Sequence, residues 1–244
     1  MGYVERIDYP QPGSTPFSRL YSVLQIPETR LTRSISKWHT TEVHIGRYEF
    51  ASTVLAGGLV LDVACGVGYG KDYLDASVIG VDISNHALQI AKNHGAQVGQ
   101  ADARKLPFPD RAFDGVVSFE TIEHMPQADA MVFLSELKRC LKKNRSLIIS
   151  APNRLFDSPE STIKSIPPNK YHFYEPTLNE FRIMVEGAGF QIERMLYQTG
   201  RLGIVDSSKF VRLPLMLLGR YSKVRDVKDM KSFDIPDSMI FVCK

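Results

Sequence analysis

A turn with glycine at every second place follows an acidic strand end in Val60-Leu61-Asp62-Val63-Ala64-Cys65-Gly66-Val67-Gly68-Tyr69-Gly70. Glycine tolerates positive φ and lets a ligand approach the backbone closely. In an α/β sheet, ligands bind beyond the carboxyl ends of the strands, where this turn would stand. The spacing is GxGxG, not the GxGxxG that serves a pyrophosphate. A carboxylate at Asp62 would repel a pyrophosphate and suits a ligand ammonium instead. Two further acids follow. Asp82, in Val81-Asp82-Ile83-Ser84, ends the next strand twelve residues after Gly70. There it can accept both hydroxyl hydrogen bonds of a ribose. Asp102, in Ala101-Asp102-Ala103, follows a third strand, where it can accept from an adenine amino group.

A second set of reactive residues is Glu120-Thr121-Ile122-Glu123-His124, which follows a fourth strand at the same sheet edge. A helical turn there makes Glu120 face Glu123 and His124, at i,i+3 and i,i+4 spacing. Pro126 limits that helix to about one turn. Two carboxylates and an imidazole converging on one spot can bind a divalent cation such as magnesium or manganese. His172, in Asn169-Lys170-Tyr171-His172-Phe173-Tyr174-Glu175-Pro176, falls near the end of a long loop that can fold over the same edge. A cation that coordinates an alcohol lowers its pKa and fixes its direction. Either histidine can instead act as a metal-free general base. A merely structural Glu-His pair is the third reading.

The elements that must position these residues alternate. A helix spans Thr41 to Leu55 and stops at Gly57-Gly58. Strands are expected at Leu59–Ala64, Val78–Val81, Ala96–Gly99, Phe113–Phe119, Ser146–Ser150, Phe190–Tyr197 and Met239–Val242. Between them lie a helix after the glycine turn, a helix over Ser84–His94 capped by Ser84, and an amphipathic helix over Ala128–Leu141. Thr177-Leu178-Asn179-Glu180 reads as a capping box for one more helix, ending at Gly187 or Gly189. This alternation implies a mostly parallel sheet covered on both faces, a three-layer α/β sandwich. Residues 1–56 read as an N-terminal cap, 57–197 as a ligand-binding core and 198–237 as a lid inserted before the last strand. The lid carries eight Lys or Arg against five Asp and an oily patch, Leu213, Leu215, Met216, Leu217 and Leu218. It reads as a small helical cover, or as an acceptor-binding or homodimer surface.

The bulk numbers exclude several classes. At 244 residues and 43% hydrophobic content, one large domain with a real core is expected. A formal charge of +3 is too mild to argue for nucleic acid or an anionic membrane. Cys65, Cys140 and Cys243 form no CxxC pair, so neither a disulfide framework nor a cysteine zinc site is expected. A reducing cytoplasm is the natural setting. The N-terminus shows no secretion signal, and the longest late apolar stretch, Leu213 to Leu218, is too short to span a bilayer.

The glycine turn, Asp82, Asp102, the Leu106-Pro107-Phe108-Pro109-Asp110 loop and Phe113-Asp114-Gly115-Val116-Val117-Ser118 resemble the class I S-adenosylmethionine (SAM)-dependent methyltransferases. The likeness is to the branch with an "LPF" loop and an "EH" after strand four, and it covers about residues 43 to 195. It implies a Rossmann-like, seven-stranded sheet whose last strand is antiparallel. It implies SAM contacts from Asp62, Ala64, Gly66 and Gly68, from Asp82 and Ile83, from Asp102 and Ala103, and around Phe119. It also places His44-Ile45-Gly46-Arg47-Tyr48 over the methionine end, where Arg47 pairs with the methionine carboxylate. S-adenosylhomocysteine would be the product. The E-x-x-E-H pattern with a later His resembles metal-dependent O-methyltransferases, which casts Glu120, Glu123, His124 and His172 as ligands of a metal that holds two acceptor hydroxyls. The reading that follows is O-methylation of a sugar, glycan or glycosylated small molecule. The alternatives are methylation of a quinone-type phenol, an amine or an RNA 2′-hydroxyl by a histidine base, and a SAM-binding scaffold without turnover.

Overall fold

The strands are apolar on both faces, as a sheet sandwiched between helices requires. In the computed structural model, which describes residues 43–55, 57–157, 162–164, 167, 169–198, 224–226 and 238–244, successive strand residues go to opposite cores. Strand β1 (Leu59–Val63) sends Val60 to one core and Leu61 and Val63 to the other. Strand β4 (Phe113–Phe119) divides Val116 from Val117 and Phe119 in the same way. Strand β8 (Ser238–Cys243) is buried throughout and alternates Met239, Phe241 and Cys243 against Ile240 and Val242.

The remaining strands are β2 (Ser77–Asp82), β3 (Val98–Gln100), β5 (Leu141–Pro152), β6 (Ile192–Gln198) and β7 (Val224–Asp226). The sheet order is β3-β2-β1-β4-β5-β8-β6-β7. Strands β1 to β5 pair in parallel, and β8 runs antiparallel between β5 and β6. The expected seven strands with an antiparallel last strand are therefore present. An eighth, β7, adds to the outer edge of β6 from within the region read as a lid. Most strand ends that differ move by one residue, and three strands move further. The third strand sits at Val98–Gln100, the fifth extends to Leu141–Pro152, and the sixth starts at Ile192 rather than Phe190. Otherwise residues 198–237 lie almost wholly outside the described residues, as do residues 1–42 of the expected N-terminal cap.

The helices are α1 (43–54), α2 (Gly70–Tyr73), α3 (Asn85–Asn93), α4 (Gln127–Cys140), α5 (Arg154–Asp157) and α6 (Leu178–Gly187). Helix α1 buries Tyr48, Ala51 and Leu55 against one face of the sheet. Helices α4 and α6 bury Phe133, Leu134, Leu137, Phe181 and Val185 against the other. Local caps start two of the helices as expected. Ser84 accepts from the Ala87 amide, and Thr177 with Glu180 forms a complete capping box. Cys65, Cys140 and Cys243 are buried and not in disulfides.

The order reverses direction between β1 and β4. Loops after these two strands leave in opposite directions and open a crevice at their carboxyl ends, which is where this class of sheet binds ligands. Both reactive sets read from the sequence follow β1 and β4 there.

Candidate active site

The turn after β1 is built from backbone conformations that few residues adopt. Ala64 has φ 62°, Gly66 φ 56° and Gly68 φ 78°, all in the left-handed region. Ala64 holds such a φ at the cost of local strain, an arrangement typical of ligand sites. At Gly70 the constraint is space: an added Cβ would lie 2.5 Å from Asp62 Oδ2 and 2.8 Å from the Tyr48 ring.

Asp62 is 1% exposed, and both its oxygens accept from the Tyr48 hydroxyl, at 2.9 and 3.2 Å. Burial pushes its carboxyl up to about 7; the Tyr48 hydrogen bond opposes the shift and the Asp82 charge adds to it. The acid is strained in this environment and gains from a cationic partner. Asp82 ties the turn to β2: Oδ2 accepts the Gly66 amide at 2.8 Å and Oδ1 the Ser84 amide at 2.8 Å. Ile83 beside it is 68% exposed, an uncovered apolar surface at the sheet edge.

Asp102 is engaged more heavily than its expected role suggests. Its oxygens accept from Arg104 Nε and Nη2 and from the Arg104 amide, at 2.6 to 3.1 Å. Arg104 also reaches Asp129 at 2.6 Å. These bonds hold the Asp102 carboxyl below the usual range. An adenine amino group would have to share Asp102 with that guanidinium. Ala103 next to it packs against the apolar core. Phe119 is buried edge-on against Tyr48, with ring centroids 5.0 Å apart.

Arg47 is only 2% exposed. Its Nη2 donates to Ser238 Oγ at 2.8 Å and stands 3.5 Å from Glu120 Oε1, while Nε and Nη1 are buried without a partner among the described residues. Two idle donors on a buried cation are the right chemistry for a ligand carboxylate.

Glu120 departs from the sequence reading. It has φ 50° at the end of β4, and its Oε1 accepts from Ser150 Oγ at 2.7 Å. Ser238 Oγ donates to its other oxygen at 3.5 Å. The left-handed residue breaks the helical turn that would have aimed Glu120 at Glu123. The turn forms one step later, as a 3-10 helix over Ile122–His124.

Glu123, His124 and His172 do come together, with potential donor atoms all within 4.8 Å of one another. Glu123 is 1% exposed and its Oε2 has no hydrogen-bond partner among the described residues. Burial, with the Glu120 charge next, holds its carboxyl well above the usual carboxylate range. His124 Nδ1 donates to the Tyr171 carbonyl at 2.9 Å, which leaves Nε2 as the lone-pair nitrogen, 3.9 Å from Glu123 Oε1. Burial lowers the His124 pKa, the Tyr171 bond opposes that, and His172 adds to it, so the ring is neutral near pH 7. The two histidine rings meet edge-on, 5.0 Å apart.

The loop carrying His172 is laced to this turn by its own backbone: the Phe173 amide donates to the Glu123 carbonyl at 2.7 Å. Sequence reasoning missed several contributors. Tyr48, Ser150 and Ser238 carry no motif. Glu175, three residues after His172, is marked in the sequence only by the His-x-x-Glu spacing. Its Oε1 lies 2.6 Å from His172 Nδ1.

The doubly wound sheet, the glycine turn after β1, the acids at the next two strands and the Glu-His turn after β4 are the arrangement that the resemblance to class I SAM-dependent methyltransferases implied. The comparisons agree. Residues 61–149 match the family of the methyltransferase domain. A probable S-adenosylmethionine-dependent methyltransferase of Mycolicibacterium smegmatis is 34% identical over 146 residues, 58% of this chain and 55% of that one. The fatty-acid O-methyltransferase of the same organism is 31% identical over 136 residues, 52% of this chain and 46% of that one. The chain thus spans about half the length of these curated relatives. A crystal structure from Thermotoga maritima, a SAM-dependent methyltransferase described as a possible histamine N-methyltransferase, shares the fold. Its TM-score is 0.63 at 19% identity, over 88% of this chain and 96% of that one. Within the α/β core, residues 61–149 thus carry the match to a methyltransferase domain, and the relatives so matched are SAM-dependent methyltransferases. Among the described residues, no helix is long and apolar enough to cross a membrane.

Proposed function

We propose that the protein transfers a methyl group from SAM to a hydroxyl oxygen of a small polyhydroxylated acceptor: a sugar, a glycan or a glycosylated small molecule. The observation that carries this reading is the convergence of Glu123, His124 and His172 beside the cofactor crevice.

The residues fit SAM. Asp62 would take the ammonium, Arg47 the carboxylate, Asp82 the ribose hydroxyls and Ile83 one face of the adenine. Ala64, Gly66, Gly68, Ala103 and Phe119 would line the crevice, and Asp102 would share the amino group with Arg104. SAM supplies a methyl group already made electrophilic by its sulfonium. The protein's task is to align an acceptor oxygen and help it lose a proton.

The residues also fit a divalent cation such as magnesium or manganese, in part. Glu123 offers a buried oxygen that lacks a partner, and His124 offers a lone pair at Nε2. Two histidines and one carboxylate are a set that suits transition-metal ions, so manganese fits it better than magnesium, which prefers oxygen ligands. A bound cation would lower the pKa of two neighbouring hydroxyls and fix their direction. Glu120, held by Ser150 and beside Arg47, serves as the counter-charge of Arg47 rather than as a ligand.

A second reading has its own support. Neutral His124, with its proton committed to Tyr171, can take the acceptor proton at Nε2 without a metal. The fatty-acid O-methyltransferase relative favours oxygen as the methylated atom under either reading. Calorimetry with S-adenosylhomocysteine, then turnover of methyl and phenyl glycosides before and after EDTA, tests the proposal. We expect micromolar cofactor-product binding and turnover abolished by metal removal. Turnover that survives EDTA selects the histidine base, and no S-adenosylhomocysteine binding overturns the proposal.

A further inference from the structure

The His172 ring is held at both nitrogens, and the two contacts together assign its proton. Asn169 Oδ1 accepts the Tyr171 amide at 3.1 Å. The NH2 end of the Asn169 side chain is therefore the end that faces His172 Nε2, at 2.9 Å. An amide NH2 donates and does not accept. Nε2 must present its lone pair, so the ring proton of the neutral imidazole resides on Nδ1. Glu175 Oε1 lies 2.6 Å from Nδ1, the length of a strong charge-assisted bond. Two partners on opposite sides of the ring agree on one tautomer. It is the same tautomer that the Tyr171 carbonyl imposes on His124.

The two partners differ in burial. Glu175 is 2% exposed, whereas Asn169 lies at the surface. An amide that leaves His172 finds water in exchange, at little cost. A carboxylate that leaves it loses a bond in a place where water cannot replace it. The ring therefore has one permanent and one exchangeable partner.

We propose that Glu175 is a positioning residue that fixes His172 in the Nδ1–H tautomer, and that Asn169 is a latch that occupies the Nε2 lone pair until an acceptor hydroxyl or a cation displaces it. The proposal rests on reading His172 as an acceptor-site group. Glu175 acts through His172. Its burial and the 2.6 Å bond set the ring plane, and Asn169 keeps that plane from rotating while the site is empty.

The test is a side-chain 15N–1H correlation spectrum of the full chain with labelled histidines, without metal or cofactor, and with His172 assigned from His172→Gln. We expect a protonated Nδ1 and an unprotonated, hydrogen-bonded Nε2. Glu175→Ala should shift His172 towards the Nε2–H tautomer, whereas Glu175→Gln, which retains an acceptor oxygen, should keep the native one. Asn169→Ala should leave the tautomer unchanged and move the Nε2 resonance downfield as its lone pair loses a donor. An Nε2–H tautomer in the native protein overturns the role of Glu175, and so does an unaltered tautomer in Glu175→Ala. An unmoved Nε2 resonance in Asn169→Ala overturns the latch. If Glu175→Ala fails to fold, the native spectrum and Asn169→Ala decide between the same outcomes. Wild-type turnover in His172→Gln, with the spectra as expected, would instead overturn the acceptor-site reading.

Discussion

The two halves of the crevice are assembled by different means. In the half proposed to hold the cofactor, Asp82 accepts from Gly66 and Ser84, and the turn is shaped by its own φ angles. In the half proposed to hold the acceptor, His124 is fixed by Tyr171 and Glu123 by the Phe173 amide, each across a long loop. One half is short-range backbone geometry; the other is a junction between distant segments. The first is hard to alter without losing the ligand. The second can change its acceptor chemistry while the cofactor site stays intact, which is how one fold hosts many acceptors.

That contrast is easiest to break at Gly70. Gly70→Leu drives a side chain into Asp62 and Tyr48, and should weaken S-adenosylhomocysteine binding more than about 100-fold by calorimetry, the scale of a severe packing clash. Circular dichroism should show a retained fold; retained affinity would mean that the crevice does not lie over this turn. The acceptor half should respond the opposite way. Glu123→Ala and His172→Ala should leave that affinity within about twofold and cut turnover by about 10²–10⁴, the range for a lost proton-handling group. Loss of cofactor binding in either would erase the separation between the halves.

Asp62 sharpens the comparison through pH. Its folded-state pKa of about 7 lies above the 3.8 of the unfolded chain. Between those values the folded protein holds a proton that the unfolded chain has released, so stability from this group grows as pH falls from 7 towards 3.8. The slope is about 1.4 kcal/mol per pH unit at most. Asp62→Asn should remove that slope in thermal melts of the cofactor-free protein and raise its stability at pH 8. The same variant should weaken S-adenosylhomocysteine binding by about 1–3 kcal/mol, as for a lost hydrogen bond to a charge. Wild-type affinity should rise as pH increases through 7, because an ammonium requires the ionised acid. A variant less stable than wild type at pH 8 would mark Asp62 as structural. The smallest effect is expected at Arg104. Its ion pairs with Asp102 and Asp129 are exposed and screened by solvent, so Arg104→Ala should leave S-adenosylhomocysteine affinity within about fivefold of wild type by calorimetry.

The difference between the halves is also a difference in what a chain of letters reveals. The alternation of Val60 with Leu61 and of Val116 with Val117 marks strands buried on both faces, and Ser84 and Thr177 mark helix starts through bonds that span three residues. Glu120 was misread because helical spacing says nothing of a left-handed φ at the end of β4. Nothing in the sequence around Arg47 marks it as buried; its closest hydrogen-bond partner, Ser238, lies 191 residues away. Glu175 and Asn169 gain their roles only when their loop docks on the 3-10 turn.

By itself, the sequence determined the period-two strands, the caps, the glycine turn and the order of the acids at the strand ends, because each depends on residues a few positions apart. Only the tertiary structure decided that Asp62 is buried under Tyr48, that Arg47 is paired with Glu120, and that Glu123, His124 and His172 share one spot without Glu120. Those outcomes rest on burial and on contacts between distant segments, and neither is written in local spacing.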